Sequence, residues 1–598
     1  MKLLRLKITD PAGFRSLTCG FEHHFRTEWS LQEELTKPEG FAPFVCAGPN
    51  GSGKSNLLEA LAAIFFQLEI LRVRRSFLPE VLQSDELDYS PKGFELDYLI
   101  QVPPEYIRPD GQVWAKVGVW KNPGESVRLN WENQGDFDTD IYEVFRAGFA
   151  DILLPQYVLG YSSGENEILS LPFFKLRFVQ FDEYWNALTR QLPYPGHPET
   201  RLAYLDNGFS QAILLCNLLF QDAATLQPFR EDIGIEALQE FRIIIKRSIE
   251  VSVDVAEGFM AGDYVEKGYV QDDYTTSNPA LRKDSESGRY TINLMQLLEA
   301  SSNSAKNFDP LVTRLRRCAT LSYVDDANDT LILDFWVNEE TKKAFRANFE
   351  DDPLMLFQAF QVLLTLNLYS VSDALKSDLY RSTSHYASET VPTLASDQRI
   401  MRFKFVRFSK QGVTQPMMLK ELSDGEHQLL HSLGLCLLFR ETNSLFLLDE
   451  PETHFNPDWR ANFITRLRQC LPGTGNVGQE MLITTHTPFL ISDSKPDKVL
   501  VFKKDKSTGE VSISRPEYNT LGASINKITM STFGKRETIG GYAQEILDRL
   551  RTRFDAGNEE ASVLIEEINH ELGDSVEKIL LIKAILDKVE GPQSEGKG

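Results

Sequence analysis

Three short apolar runs, Phe44-Val45-Cys46-Ala47, Ser444-Leu445-Phe446-Leu447-Leu448 and Met481-Leu482-Ile483-Thr484-Thr485, lack the polar alternation of a half-solvated strand and end abruptly in chemically active residues. Such runs suit strands buried on both faces of a parallel sheet, where ligands bind at the carboxyl ends. Elsewhere the pattern alternates. Met1 to Ile8 and Phe94 to Ile100 read as half-buried strands, and Trp114 to Trp120 with Val127 to Trp131 as an antiparallel pair. Helices are predicted at Gln211 to Phe220, Gly234 to Ile249 and Pro353 to Ser370, and again at Gly541 to Phe554, Glu560 to Leu572 and Ser575 to Val589. Arg402 to Phe408 predicts a strand returning to the sheet. The polar stretch from Gly268 to Ser287 reads as a mobile loop, and residues 591–598 as a disordered tail.

Composition narrows this picture. A chain of 598 residues is long enough for about two to four structural units. Its net charge of −23 argues against a surface that coats nucleic acid throughout, but leaves room for a local basic groove. The clusters Arg72, Arg74, Arg75 and Arg314, Arg316, Arg317 read as solvated helix faces. Six scattered cysteines, with no C-x-x-C pair and no histidine at ligand spacing, argue against a zinc site and a disulfide framework. The N-terminus lacks the apolar core of a signal peptide. The longest apolar stretch, Leu354 to Tyr369, is interrupted by Gln358, Gln361, Thr365 and Asn367, which predicts a buried helix capped by Asp352 rather than a membrane span. A cytoplasmic location follows.

The chemistry starts directly after the first apolar run. In Gly48-Pro49-Asn50-Gly51-Ser52-Gly53-Lys54-Ser55, glycines let backbone N–H groups converge on the β- and γ-phosphates, Lys54 adds a mobile charge, and the Ser55 hydroxyl is placed to hold Mg²⁺. The second run ends in Asp449-Glu450-Pro451-Glu452. There Asp449 would contact the metal and Glu450 would polarise the attacking water as general base. The third delivers His486. Upstream lies Leu422-Ser423-Asp424-Gly425-Glu426, in which Ser423 and Glu426 have capping-box spacing; the same hydroxyl, glycine amide and helix N-terminus would form a positive socket for a γ-phosphate.

These motifs, in this order, resemble those of ABC ATPases, with the signature in the LSDGE form found among SMC-like and repair-type relatives. The resemblance implies an α/β fold: an ABC-type head with a mixed sheet flanked by helices and an antiparallel accessory layer, plus a helical insertion and a helical C-terminal region. It implies ATP and Mg²⁺ as cofactors. Asn50, Gly51, Gly53, Lys54, Ser55 and Asn56 would surround the nucleotide, with Ser423, Gly425 and Glu426 contributed across a pair of heads, and His486 would contact the γ-phosphate. The Mg²⁺-sensing glutamine of these ATPases falls on Gln101 or Gln156, and the residues leave the choice open. Gln156 joins Ser55 and Asp449 in the expected metal set. Thr453 to Trp459 resembles the D-loop of overcoming-lysogenization-defect ATPases, with Asn456 replacing its second histidine.

Ser423 follows Lys54 by 369 positions, an interval where an SMC protein would carry a coiled coil. Fourteen prolines from Pro103 to Pro392 punctuate the interval and no heptad run survives them. The expected organisation is an N-terminal lobe over 1–171, a mainly helical insertion over 172–396, a C-terminal lobe over 397–520 and a helical partner-binding region over 521–598. No metal-binding nuclease pattern is visible after Phe502, which predicts that the chain does not cut DNA by itself. Tyr161 to Asn166, the LSDGE motif, Asp449 to Glu452 and Thr520 to Ser524 resemble the ATPase subunit of Septu-type antiphage systems, including retron-linked ones. That resemblance implies head-to-head homo-oligomers of even number, a small HNH nuclease as partner, and contact with DNA or RNA through the complex. A repair or recombination ATPase acting directly on DNA is one rival, and an ATP-locked scaffold with little turnover is another.

Overall fold

The computed structural model describes residues 1–36, 40–73, 78–83, 89–109, 111–138, 149–163, 169–189, 196–253, 255–256, 280–283, 288–299, 310–383, 394–471, 478–534, 539–557 and 559–590. Its centre is a seven-stranded sheet. With strands numbered in chain order, the order is β20 (Val511–Ser514), β19 (Val499–Lys504), β3 (Phe44–Ala47), β18 (Glu480–Thr485), β17 (Ser444–Asp449), β7 (Tyr157–Ser162) and β8 (Leu202–Tyr204). Every adjacent pair is parallel except β19 and β20. The three apolar runs are its inner strands, buried at every position.

Both faces of this sheet are covered, which is why those strands do not alternate. Phe44, Cys46, Leu445, Leu447 and Leu482 face one core, shared with helix α1 (Lys54–Arg72) and an antiparallel layer. Val45, Ala47, Phe446, Leu448, Met481 and Ile483 face a second core with helix α2 (Ser210–Phe220) and helix α3 (Asp424–Leu438). The antiparallel layer runs β2 (Glu22–His24), β1 (Lys2–Ile8), β4 (Phe94–Gln101), β5 (Trp114–Lys121), β6 (Arg128–Trp131), so the alternating N-terminal strands and the tryptophan-rich pair form as the sequence predicts. An α/β architecture, a mostly parallel sheet flanked by helices with an antiparallel accessory layer, is what is observed.

The interval 172–396 is where the structure departs from the helical expectation. Besides helices it holds β8, β9 (Ile235–Lys246), a small sheet of β10 (Ser248–Val251), β12 (Tyr290–Asn293) and β11 (Leu281–Lys283), and the hairpin β13 (Leu321–Asp325) with β14 (Thr330–Trp336). The segment Gly234 to Ile249, predicted helical, is mostly strand β9. The early apolar positions Ile235, Leu238 and Phe241 recur every third residue because β9 pairs with β15 (Met401–Lys410) through several bulges, each adding a residue to the repeat. The β-branched run Ile243-Ile244-Ile245 was the contrary signal. β15 is a strand as expected, but it enters a separate sheet of order β13-β14-β9-β15-β16 (Met417–Met418) rather than the central one. The boundary at 396/397 therefore cuts through a sheet. Of the polar stretch 268–287, Leu281–Lys283 is β11, while 268–279 and 284–287 lie outside the described residues, as do Arg74, Arg75 and the tail 591–598.

Pro353–Thr365 is a buried helix, and the Asp352 side chain accepts a hydrogen bond from the Leu354 N–H at 2.8 Å, as its capping role requires. Among the described residues no single helix is long and apolar enough to cross a membrane. After helix α4 (Pro457–Cys470) and the last central strands, α5 (Gly541–Ala556), α6 (Ala561–Glu571) and α7 (Val576–Glu590) close on a small core of their own, built from Leu547, Leu550, Leu564, Ile568, Leu572, Leu581 and Ile585.

Candidate functional site

Strand register assembles the site. Thr484 pairs with both Cys46 and Asp449, and Asp449 pairs with Ser162, so the residues that follow form a row along the carboxyl edge of the sheet. The loop after β3 makes its turns at positions only glycine fits easily. Gly48 has φ 153° and a Cβ there would lie 2.6 Å from the Phe502 carbonyl; Gly53 has φ 98° and its Cβ would meet Ser16 Oγ at 2.9 Å. Gly53 caps α1, which begins at Lys54. The buried Lys54 ammonium donates to the Gly48 and Pro49 carbonyls at 3.1 and 3.2 Å. Burial lowers its pKa against the opposing pull of Glu450 and Asp449.

Asp449 is 1% exposed. Its Oδ1 accepts from Ser55 Oγ at 2.8 Å and from Thr484 Oγ1 at 2.6 Å, while Ser162 Oγ stands 3.5 Å from Oδ2. Burial raises its pKa, and the two short hydrogen bonds oppose that rise. Glu450 emerges half-buried with φ 50°, a left-handed backbone that is uncommon outside glycine; its N–H donates to Thr484 Oγ1 at 3.0 Å. The carboxylate meets His486 Nε2 at 2.6 Å. That hydrogen bond holds the Glu450 pKa below the usual carboxylate range. Behind them Glu452 is fully buried. One of its oxygens accepts from Thr485 Oγ1, the other has no partner, and burial pushes its pKa up to about 7.

Ser55 and Asp449 present hard oxygen donors side by side, which suits Mg²⁺ held by one carboxylate, one hydroxyl and substrate phosphates. Among the described residues no cluster of three or more His, Cys, Asp or Glu offers a self-sufficient metal cage. Asn56 accepts from Ser16 Oγ at 2.7 Å and so is tied to the turn after β1, while Asn50 and Gly51 lie exposed on the loop.

The signature residues form a second cluster at the N-terminus of α3. Ser423 and Glu426 complete the capping box, with Glu426 Oε2 accepting from the Ser423 N–H at 2.8 Å and its hydroxyl at 2.9 Å. The other Glu426 oxygen binds Lys410 Nζ at the end of β15. Burial raises the Glu426 pKa, but the hydrogen bonds from Lys410 and Ser423 outweigh it and leave the carboxyl below the usual range. Gly425 has no Cβ for a reason: one would lie 2.6 Å from the His454 carbonyl, so the turn after β17 packs directly on the helix start. The Asn456 side chain caps α4 by accepting the Trp459 N–H at 2.8 Å.

Gln156 does not join the metal set. It sits at the opposite end of β7, where its Oε1 accepts the Asn443 N–H at 2.7 Å just before β17 begins. The six-residue strand separates it from Ser162 by about 20 Å at 3.3 Å per residue. Gln101 fails for the same reason, since its carbonyl accepts from Asn443 Nδ2. The place at the carboxyl end of β7 belongs instead to Ser162 and Ser163; the Ser163 N–H donates to the Asp449 carbonyl at 3.1 Å and its hydroxyl meets Thr453 Oγ1 at 2.9 Å. Sequence reasoning missed these serines as site residues, together with Thr484, Thr485 and Glu452. The strand-end position of Tyr161-Ser162-Ser163, level with Asp449, was the available signal.

Residues 294–492 match the family described as "AAA domain, putative AbiEii toxin, Type IV TA system", a span that takes in the signature, the acidic strand end and His486. Protein ea59 of Escherichia phage lambda is 27% identical over 124 residues, which are 21% of this chain and 23% of that protein. The Septu protein PtuA of Bacillus thuringiensis is 23% identical over 123 residues, 20% of this chain and 30% of that protein. The aligned part thus spans less than a third of either relative. Among solved structures, the SMC head bound to the C-winged-helix domain of ScpA aligns over 86% of this chain and 97% of its own, with a TM-score of 0.31 and 10% identity. The family match to an AAA domain and the Septu relative agree with the resemblance to an ATPase of the Septu type, each over a part of the chain.

Proposed function

We propose that this chain binds and hydrolyses ATP as the motor subunit of an antiphage complex, in which ATP-dependent pairing of heads controls an associated nuclease. One observation carries the reading: Ser55, Asp449 and Thr484 form a hydrogen-bonded cluster beside the glycine loop, with the Glu450 and His486 pair next to it. Lys54 exchanges its carbonyl partners for phosphate oxygens. Mg²⁺, held by Ser55 and Asp449, supplies charge neutralisation at the phosphates. Glu450, kept ionised at neutral pH by His486, accepts a proton from the attacking water, and His486 passes its hydrogen bond from Glu450 to the γ-phosphate. Ser423 and Gly425 of a second copy complete the site at the helix N-terminus.

The family match and the Septu relative support the defence assignment, and the region 521–598, whose helices between Gly541 and Glu590 have a core of their own, is assigned to docking a small HNH nuclease. Contact with DNA or RNA by this route is made through the complex. The test is Glu450→Gln. This variant is expected to retain ATP and Mg²⁺ and to accumulate as paired heads while phosphate release falls by about a hundredfold or more. Undiminished phosphate release would remove Glu450 from the catalytic role.

A further inference from the structure

The sheet β13-β14-β9-β15-β16 buries one face in the larger core, where Phe241 stacks on Phe335 at 4.4 Å. An antiparallel sheet with one face in water ordinarily shows that face as polar. Here the outer face carries Trp336 on β14, 62% exposed, Tyr323 on β13, 39% exposed, and Phe405 on β15, 36% exposed. Cross-strand pairing puts Trp336 opposite Glu240 and Glu240 opposite Arg407, so Trp336 and Arg407 lie about 10 Å apart with β9 between them, and Phe405 lies two residues along β15 from Arg407.

Phe405 reaches this face through strained backbone. Its φ of 54° falls at the bulge between Lys404 and Arg407, and the departure from alternation turns out a ring that regular pairing would have turned inward. Three cations surround it: Lys404 Nζ at 4.9 Å, Arg407 at 5.2 Å and Arg242 at 5.4 Å from the ring centroid. Arg242 and Arg407 are paired with Asp334 and Glu240, whereas Arg402 and Lys404 make no ion pair with a carboxylate among the described residues. The wider segment is as distinctive. From Gln398 to Lys420 there are six Lys and Arg and no Asp or Glu, in a chain whose net charge is −23.

Exposed aromatic rings spaced across a sheet, set among cations, are what an unpaired nucleobase and its phosphates require. From this juxtaposition of Phe405, Trp336 and Tyr323 with Arg402 and Lys404, we infer that this sheet face binds single-stranded nucleic acid directly, stacking bases on the rings without reading their sequence. The nuclease-docking role is not needed for it, and nucleotide binding at Lys54 is a separate measurement.

Fluorescence anisotropy of the full chain with labelled oligothymidylate, oligouridylate and a duplex, each of about 20 nucleotides, at about 50 and about 200 mM salt tests the inference. Both single strands are expected to bind, at least about tenfold more tightly than the duplex, and more weakly at the higher salt; a difference between the two arms tells which sugar is preferred. Phe405→Ala and Trp336→Ala should each weaken binding by about fivefold or more, and Lys404→Glu should weaken it and flatten the salt dependence, with ATP binding and thermal midpoint unchanged. Phe405→Gly, which tolerates the left-handed backbone, replaces the alanine variant if that one melts early. Lys404→Glu, at an exposed position, decides the matter on its own. The inference is overturned by absence of single-strand binding at the lower salt, by equal binding of duplex, or by binding that these substitutions leave intact. It is likewise overturned if the face holds a second copy instead, seen as an oligomer that Trp336→Ala dissociates with no oligonucleotide bound.

Discussion

At position 450 the backbone is left-handed and the side chain is held by a histidine, so the carboxylate proposed as general base is fixed twice, through its main chain and through its side-chain hydrogen bond. Thr484 is the residue that links it to Asp449, the aspartate proposed to hold the metal, donating to Asp449 and accepting the Glu450 N–H. Thr484→Val keeps the shape and removes both bonds. ATP turnover is expected to drop by about tenfold or more, with a stability loss of about 1–3 kcal/mol measured by chemical denaturation. Glu452 behaves differently because its folded pKa is raised, from the ordinary 4.5 to about 7. The protonated form is the one the fold favours, so its full stability is present below about pH 4.5 and is lost as pH rises through about 7, a change on the order of 3 kcal/mol. Glu452→Gln should remove that part of the pH dependence and melt higher than the parent at pH values above about 7, read from thermal midpoints across the range. Equal slopes in parent and variant would show that Glu452 is ionised within the fold.

At the scale of elements, the turn after β17 is locked by two devices, the missing Cβ of Gly425 and the Asn456 cap. Asn456→Ala should cost about 1 kcal/mol of stability while leaving ATP affinity unchanged, because the side chain serves helix α4; a loss of ATP-dependent pairing without loss of stability would give it an inter-subunit role instead. How much was legible followed the type of element. Continuous apolar runs ending in Asp449, His486 and the glycine loop identified the parallel strands, since two covered faces leave no room for polar residues. The capping box at Ser423 and Glu426 was readable for a similarly local reason. Strand β9 was not, because bulges paired against β15 gave part of it a helix-like repeat. Gln156 misled for a third reason: a residue's neighbours in sequence do not say which end of a strand faces the ligand, and only the pairing of Ser162 with Asp449 does. The basic run along β15 escaped notice because its cations are spaced along a strand rather than clustered, and their common face exists only once β9 and β14 are beside them.

For the whole molecule, three bodies of packing divide the labour: the two cores on either side of the central sheet, and the small helical unit at 539–590. Because that unit has a core of its own, a chain ending near Gly534 should keep ATP binding and a thermal midpoint within a few degrees of the full chain. Loss of ATP binding on truncation would show that the unit supports the head. The bridge between Lys410 and Glu426 lies within the larger core's body, where it ties the basic strand to the capping box at Ser423. One carboxylate is thereby shared between two neighbours, Lys410 and Ser423. Whatever draws Lys410 away alters how firmly Glu426 holds Ser423, and whatever engages Ser423 alters Lys410 in return. Linkage makes any such exchange reciprocal: if occupancy of the sheet face changes affinity at Ser423, occupancy of Ser423 changes affinity at the sheet face by the same factor, and the strand's state would then be read in the grip on ATP held by a paired head.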